Sequence, residues 1–288
     1  MKTILSTLLA AAIFSPHWTA AEILVKSGEK IAFLGDSITA EGWGKPAGYV
    51  RLVVAGLKAN GVEVEAVPAG VSGHKSNQML ARLEKDVLSK NPQWMTLSCG
   101  VNDAWHGPNG VPLDEAMAAS GTFNATVTER GTYKKNITGI IDRATAAGVR
   151  PVILTATVIK EELDGPLNQK VAPYNDFLRT LAKERNLPLA DLNAMCHEAI
   201  KAANKPGTNV LTYDGVHMGP EGNQLMATGV LQALGLDKEQ IAKAKAAWAP
   251  LLEAGKIDDE KRAEARRVRQ EKAAKEKAEK EKAAPKAN

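Results

Sequence analysis

Five apolar runs of strand length, at 30–34, 62–67, 94–98, 151–155 and 187–192, are separated by segments whose apolar residues recur at helical spacing. That alternation constrains the fold more than any other feature of the chain. Val50, Val53, Val54 and Leu57 share one helical face after the first run, and Met79, Leu80, Leu83, Val87 and Leu88 share another after the second. Helical patterns also cover 133–147, with Ile137, Ile140, Ile141 and Ala144 on one side, and 171–185, with Tyr174, Leu178 and Leu181. Asn60-Gly61 and Ala147-Gly148 read as helix stops, because glycine takes the left-handed conformation at a helix end without a Cβ clash. Strands joined through helices run parallel. The pattern predicts a three-layer, flavodoxin-like α/β/α domain around a five-stranded parallel sheet, in which ligands bind at the carboxyl ends of the strands.

Four short segments fall at those ends or beside a closing helix: Gly35-Asp36-Ser37, Gly70, Gly100-Val101-Asn102-Asp103 and Asp214-Gly215-Val216-His217. Taken singly, each has an ordinary structural role as a helix cap, a tight turn or a hydrogen-bonded histidine. Together they hold the parts of a nucleophilic hydrolase. A serine hydroxyl needs a base to take its proton during attack, and the three-residue spacing of Asp214 and His217 lets the carboxylate reach the imidazole and orient it. The backbone N–H groups of Ser37 and Gly70 and the side-chain amide of Asn102 supply three donors for a developing oxyanion. Asp36 and Asp103 are read as braces for their loops.

These segments, in this order, resemble the SGNH hydrolases, also called the GDSL esterase and lipase family, over roughly residues 30–234. The resemblance implies Ser37 as nucleophile, His217 as base, Asp214 as third member of the triad, and Ser37, Gly70 and Asn102 as the oxyanion hole. The first block reads Gly-Asp-Ser-Ile where the family has Gly-Asp-Ser-Leu, Pro68 stands where many relatives have asparagine, and the stretch between Gly107 and Tyr133 resembles an insertion. Within the family the chain is most similar to small secreted bacterial esterases of the lysophospholipase-like and carbohydrate-acetylesterase groups.

The ends of the chain differ from its middle. Residues 1–21 read as a signal peptide, with Lys2 before an apolar stretch too short to span a bilayer and Thr19-Ala20-Ala21 at the cleavage site, which implies a secreted or periplasmic protein. Residues 22–255 form the catalytic domain. Residues 256–288, rich in Lys, Glu, Arg and Ala, read as a solvated, partly helical tail, with association with the cell envelope as its candidate role. Residues 104–128, broken by Gly107, Pro108, Gly110, Pro112 and Gly121, leave room only for a short helix near 114–119 and are the candidate for a substrate-facing lid.

Cys99 and Cys196 read as two free buried thiols, and no spacing suggests a zinc site. A net charge of +4 without a basic patch interleaved with aromatics points away from nucleic acid. His74 is expected to be exposed and His197 to lie on a helix, while Trp43, Trp105 and His106 are candidate substrate contacts. The expectation is a serine esterase without metal or cofactor, acting through an acyl-enzyme on short acyl esters, acetyl above all, of a small molecule or glycan. A lysophospholipase-like or other lipid-directed esterase is the alternative, and a non-catalytic carbohydrate-binding module of the same fold is the more distant one.

Overall fold

The computed structural model describes residues 22–283, so the signal-peptide reading of 1–21 lies outside the described residues. In chain order the elements are β1 (Lys30–Gly35), α1 (Ser37–Gly44), α2 (Tyr49–Ala59), β2 (Glu65–Gly70), α3 (Ser76–Asp86), β3 (Trp94–Ser98), α4 (Val101–Trp105), α5 (Glu115–Ala118), α6 (Ala125–Thr128), α7 (Tyr133–Ala146), β4 (Arg150–Leu154), α8 (Pro166–Glu184), β5 (Leu189–Ala190), α9 (Leu192–Ala203), α10 (Pro220–Ala233), α11 (Lys238–Ala247) and α12 (Ala249–Ala283). The five strands form one parallel sheet in the order β2-β1-β3-β4-β5. This is the predicted three-layer α/β/α architecture.

Strands β1 and β3 at the centre are buried along almost their whole length, as expected of strands covered by helices on both faces. Edge strand β2 is only half covered, which explains a register the apolar run did not predict: the strand starts at Glu65, not at residue 62. Pro68 pairs with Phe33 there, and proline is tolerated because the outer side of an edge strand needs no ladder hydrogen bond. At the far edge β5 shrinks to two residues, where 187–192 was expected. Helix α8 starts earlier than its apolar periodicity implied, with Pro166 in the first turn, where a missing N–H costs nothing.

Helices α2, α10 and α11 pack together as one layer, while α3 packs on α7 and α4 on α8. Tyr49 at the start of α2 has no side-chain cap from Gly48. Buried Asn223 of α10 accepts from the Tyr49 N–H (2.9 Å) and donates to the carbonyls of Met218 and Gly219, which locks α2 to the segment that carries His217. Trp248, fully buried between α11 and α12, donates to the Leu52 carbonyl at 2.8 Å. The tail does not begin at residue 256 as a separate element: α12 runs without a break through that position, and Leu251 and Leu252 pack against the core. Among the described residues no helix is long and apolar enough to cross a membrane.

Candidate active site

The sheet order reverses direction between β1 and β3, so the segments leaving those two strands diverge and open a crevice at their carboxyl ends. Ser37 follows β1 at once as the first residue of α1, and Asn102 follows β3 within α4. Gly70 closes β2 opposite Gly35. A Cβ on Gly70 would run into the backbone nitrogen of Ala40, so glycine is required for β2 to lie against α1.

His217, 180 positions from Ser37, meets it across this crevice: His217 Nε2 lies 2.8 Å from Ser37 Oγ. On the other side of the ring, His217 Nδ1 is 2.7 Å from Asp214 Oδ2. Asp214 Oδ1 also accepts from the backbone N–H groups of His217 (2.8 Å) and Val216 (3.0 Å). Burial alone would raise the Asp214 pKa, but the bonds from the His217 ring and from these two N–H groups outweigh it and hold the carboxyl below its ordinary value. An ionised Asp214 fixes the proton on Nδ1. Nε2 is then free to accept the serine proton.

The groups beneath Ser37 are polar and almost fully enclosed. Asp36 caps α1 by accepting from the Ile38 N–H at 2.9 Å. Asp103 accepts from the Ser76 N–H at 2.9 Å and from Cys99 Sγ at 3.4 Å, bracing the start of α3 from α4. The Asn102 amide donates to the His74 carbonyl at 3.2 Å and to Asp36 Oδ2 at 3.3 Å, both long bonds that position it without gripping it tightly. Burial, with help from the Asp103 charge, raises the Asp36 pKa to about 6 against the opposing Ile38 and His217 interactions. The Asp103 pKa is also raised by burial.

Four residues that the sequence reading did not single out hold this geometry. Glu161 on the loop after β4 accepts from the N–H groups of Val210, Leu211 and Thr212 and from the Thr212 hydroxyl, at 2.7–3.0 Å. Its neighbour Lys160, in the left-handed region at φ 66°, donates its N–H to the Gly215 carbonyl at 2.6 Å. The loop itself is closed by a bridge between Thr212 and Met218 and by the Tyr213 N–H bonded to the His217 carbonyl. Arg82 of α3 ties the carbonyls of Gly35 and Ala69 together (both 2.8 Å) and bonds His74 Nδ1 and Asp86. Tyr213 stacks on His217 with centroids 5.7 Å apart and planes at 19°, while its hydroxyl donates to Glu41 (2.9 Å) and Lys45 Nζ lies 4.5 Å from its ring centroid. Apart from Asp86 and His217, their partners are 8 to 172 positions away, so only hydroxyl and charge types in unremarkable local sequence marked them.

His74 is half-buried against Arg82, not exposed as expected, because the guanidinium reaches over from α3 to bond its ring. Its pKa is lowered, first by burial and then by the Arg82 charge. His197 does lie on a helix, α9, and Cys99 and Cys196 are free and buried. Trp43 is half-buried, packed on the core with the Arg51 guanidinium 4.5 Å over its ring. Trp105 is partly exposed at the end of α4 and faces His106, whose Nδ1 lies 2.8 Å from the Asn102 carbonyl. Within 104–128, α5 falls where the short helix was expected, and Val111 and Leu113 are buried, with the Val111 carbonyl accepting from Tyr174. That part of the segment is anchored to the core. No cluster of His, Cys, Asp or Glu able to hold a metal is found among the described residues.

Comparison with known proteins shows the family and the fold. The model of the GDSL-like Lipase/Acylhydrolase family matches residues 33–225. An acetylxylan esterase from Geobacillus stearothermophilus is 28% identical over 232 residues, spanning 74% of this chain and 97% of that protein. An uncharacterized lipoprotein of Bacillus subtilis is 22% identical over 230 residues, spanning 70% of this chain and 88% of that one. Among solved structures, that of an acetylxylan esterase from Geobacillus stearothermophilus superposes with a TM-score of 0.59 at 24% identity, over 74% of this chain and 97% of that chain. An α/β hydrolase from the metagenome of Lake Arreo, Spain, gives 0.60 at 22% identity, over 74% and 98%.

Proposed function

The chain belongs to the GDSL-like lipase/acylhydrolase family and is a serine esterase, and from that premise we propose that it removes acetyl groups from a carbohydrate, with Ser37, His217 and Asp214 as its catalytic triad. The observation that carries the assignment of residues is the continuous hydrogen-bonded line Asp214–His217–Ser37, with steps of 2.7 and 2.8 Å, assembled from opposite ends of the domain. The acetyl and carbohydrate part of the reading is supported by the relative named an acetylxylan esterase, whose length this chain matches almost completely. It is also supported by the small and polar side chains, such as Ser120, Thr122 and Asn124, on the exposed stretch after Asn102.

In this mechanism Ser37 Oγ attacks the ester carbonyl carbon as its proton passes to His217 Nε2, and Asp214 stabilises the imidazolium. The N–H groups of Ser37 and Gly70 and the Asn102 amide hold the oxyanion, the amide exchanging its long contact with Asp36 for the charged oxygen. The C–O bond to the sugar then breaks as His217 protonates the leaving hydroxyl. Water, deprotonated by His217, attacks the acetyl-Ser37 ester and releases acetate. The signal-like segment 1–21 supports a reaction outside the cytoplasm.

Reaction with a fluorophosphonate probe tests the nucleophile. Labelling and ester hydrolysis should both vanish in Ser37→Ala, and persistence of either removes Ser37 from the role. A series of nitrophenyl esters tests the acyl group: the highest kcat/KM is expected for acetate, and a maximum at octanoate or longer replaces the acetyl reading by a lipid-directed one. Release of acetate from acetylated xylan oligomers tests the carbohydrate.

A further inference from the structure

Beside His217 the surface holds a groove of about 690 Å³, lined on one side by Tyr213, residues 218–221, Asn223 and Gln224 and on the other by α12. This volume is in the range of small-molecule binding sites. We propose that this groove holds the sugar chain of the substrate, so that α12 selects which acetylated glycan reaches Ser37. The proposal rests on the carbohydrate reading above and adds to it the location of the leaving group.

Continuity with the active site is the first reason. Tyr213 lines the groove and stacks on the His217 ring, and Met218, next in the chain after His217, lies in the lining as well. A sugar whose acetyl group sits at Ser37 therefore has the groove as its neighbour on the His217 side. His217 is also the group that must hand its proton to the departing hydroxyl.

The second reason is that α12 is docked, not merely adjacent. A Cβ on Gly255 would come within 2.5 Å of the Ala47 Cβ, so the helix backbone touches the 45–48 turn as closely as it can. One turn further on, Arg262 bonds Asp258 at 2.6 Å, and its pKa is raised by that bond first and then by the Asp259 and Glu41 charges. Glu41, on α1, is also the acceptor of the Tyr213 hydroxyl.

The chemistry of the lining is the third. Its inner part is mostly apolar and enclosed, with Met218 and Gly255 buried and Leu252 half-buried, whereas the rim carries exposed Asp259, Arg267 and Gln270. A pyranose ring has the same division, with C–H faces and a belt of hydroxyls that both donate and accept. A rim of both charge signs offers no uniform field for a polyanion, and it would leave a long acyl chain against charged groups. The helix also lies beyond residue 225, where the family match ends.

The full-length protein should be assayed on acetylated xylose oligomers of increasing length and on nitrophenyl acetate. Expected is a kcat/KM that rises with oligomer length. Combining Asp259→Ala with Gln270→Ala should then lower the ratio of oligomer to nitrophenyl acetate kcat/KM about tenfold, through KM, as expected for two lost hydrogen bonds. Gly255→Leu, which pushes α12 off the Ala47 turn, should lower the same ratio. Calorimetric binding of an unacetylated xylose oligomer to the Ser37→Ala protein should weaken with the rim substitutions. Oligomer hydrolysis that is indifferent to length and to all three substitutions overturns the groove assignment while leaving the carbohydrate reading intact. Hydrolysis of nitrophenyl acetate with none of the acetylated oligomers overturns both. A rim-dependent gain on phospholipid instead of oligomers overturns the sugar as occupant.

Discussion

Ser37 rests on a buried platform, whereas His217 stands on an exposed loop that is tied down from the side. Beneath the serine, Asp36, Asn102 and Asp103 are 2%, 6% and 1% exposed, and each bonds across to a different loop. Across the crevice the side chain of Asp214 is 43% and that of His217 23% exposed, and their loop is anchored mainly by the Glu161 carboxylate and the Lys160–Gly215 bond. The platform is fixed by enclosure, the loop by a few strong acceptors. Disturbing the platform should therefore alter both chemistry and the pH dependence of folding, while disturbing the loop should mostly misplace the base.

The largest effect is expected at Asn102. Asn102→Ala removes one oxyanion donor and should lower kcat on the order of a hundredfold with a small change in KM, because such a donor acts mainly in the transition state. Steady-state kinetics on nitrophenyl acetate check this, and unchanged turnover would take Asn102 out of the mechanism. Because the amide also contacts Asp36, the variant should be somewhat less stable as well.

Next comes Asp36→Asn. In the unfolded chain this carboxyl titrates near 3.8 and in the folded protein near 6, so the folded state holds an extra proton between those values. Stability contributed by Asp36 is thus full below about pH 4 and falls as pH rises to 6, a loss on the order of 3 kcal/mol. In Asp36→Asn that decline should disappear from urea midpoints measured between pH 4 and 7. Activity should still fall, since the Ile38 N–H and the Asn102 amide bond different oxygens of Asp36, and in asparagine one of those positions is an NH2 group that cannot accept. A stability profile parallel to that of the parent protein would show that the platform carboxyl is not the group that titrates.

The same contrast decides what the sequence made legible. The platform could be read because its residues follow directly on apolar runs: Ser37 comes two residues after β1 ends, and Asn102 four after β3 ends, so strand periodicity alone places them. His217 was found by its spacing to Asp214, a local relation. What holds that pair was not legible, because Glu161 lies 49 to 51 positions from the groups it binds and Arg82 lies 47 from Gly35. Edge strands were the weak part of the fold reading for a related reason. The run at half-covered β2 is broken by Glu63 and Glu65 and marks its ends poorly, so Val62 and Val64, which pack partly on the core before the strand starts, drew the predicted boundary towards them. The tail was read as separate because its composition changes near 255, yet the helix was already running and the contacts that dock it come from glycine and leucine, not from its charges.

On the loop side, Glu161→Ala leaves three backbone N–H groups and a hydroxyl without their acceptor, a change worth about 1–3 kcal/mol. The expected outcome is a lower urea midpoint together with a kcat reduced about tenfold, as the His217 ring loses its fixed place. Glu161→Gln keeps one good acceptor oxygen and should recover part of both. If instead stability fell while kcat held in Glu161→Ala, the loop would be anchored well enough by Lys160 and the Thr212–Met218 bridge, and the contrast between the two regions would shrink.

The smallest and sharpest test is Tyr213. Its ring restrains one face of His217, and its hydroxyl links the loop to Glu41 on α1, so it joins loop and platform beside the His217–Ser37 contact itself. Tyr213→Phe keeps the stack and loses only the hydroxyl, so kcat should change by no more than a few fold, in line with about 1 kcal/mol for one exposed hydrogen bond. Tyr213→Ala frees the imidazole face as well, so the ring loses a wall that restrains it and kcat on nitrophenyl acetate should fall about tenfold, well beyond the effect of Tyr213→Phe. Equal kcat values for the two variants would mean that the stack does not govern the base, leaving Asp214 to orient it alone.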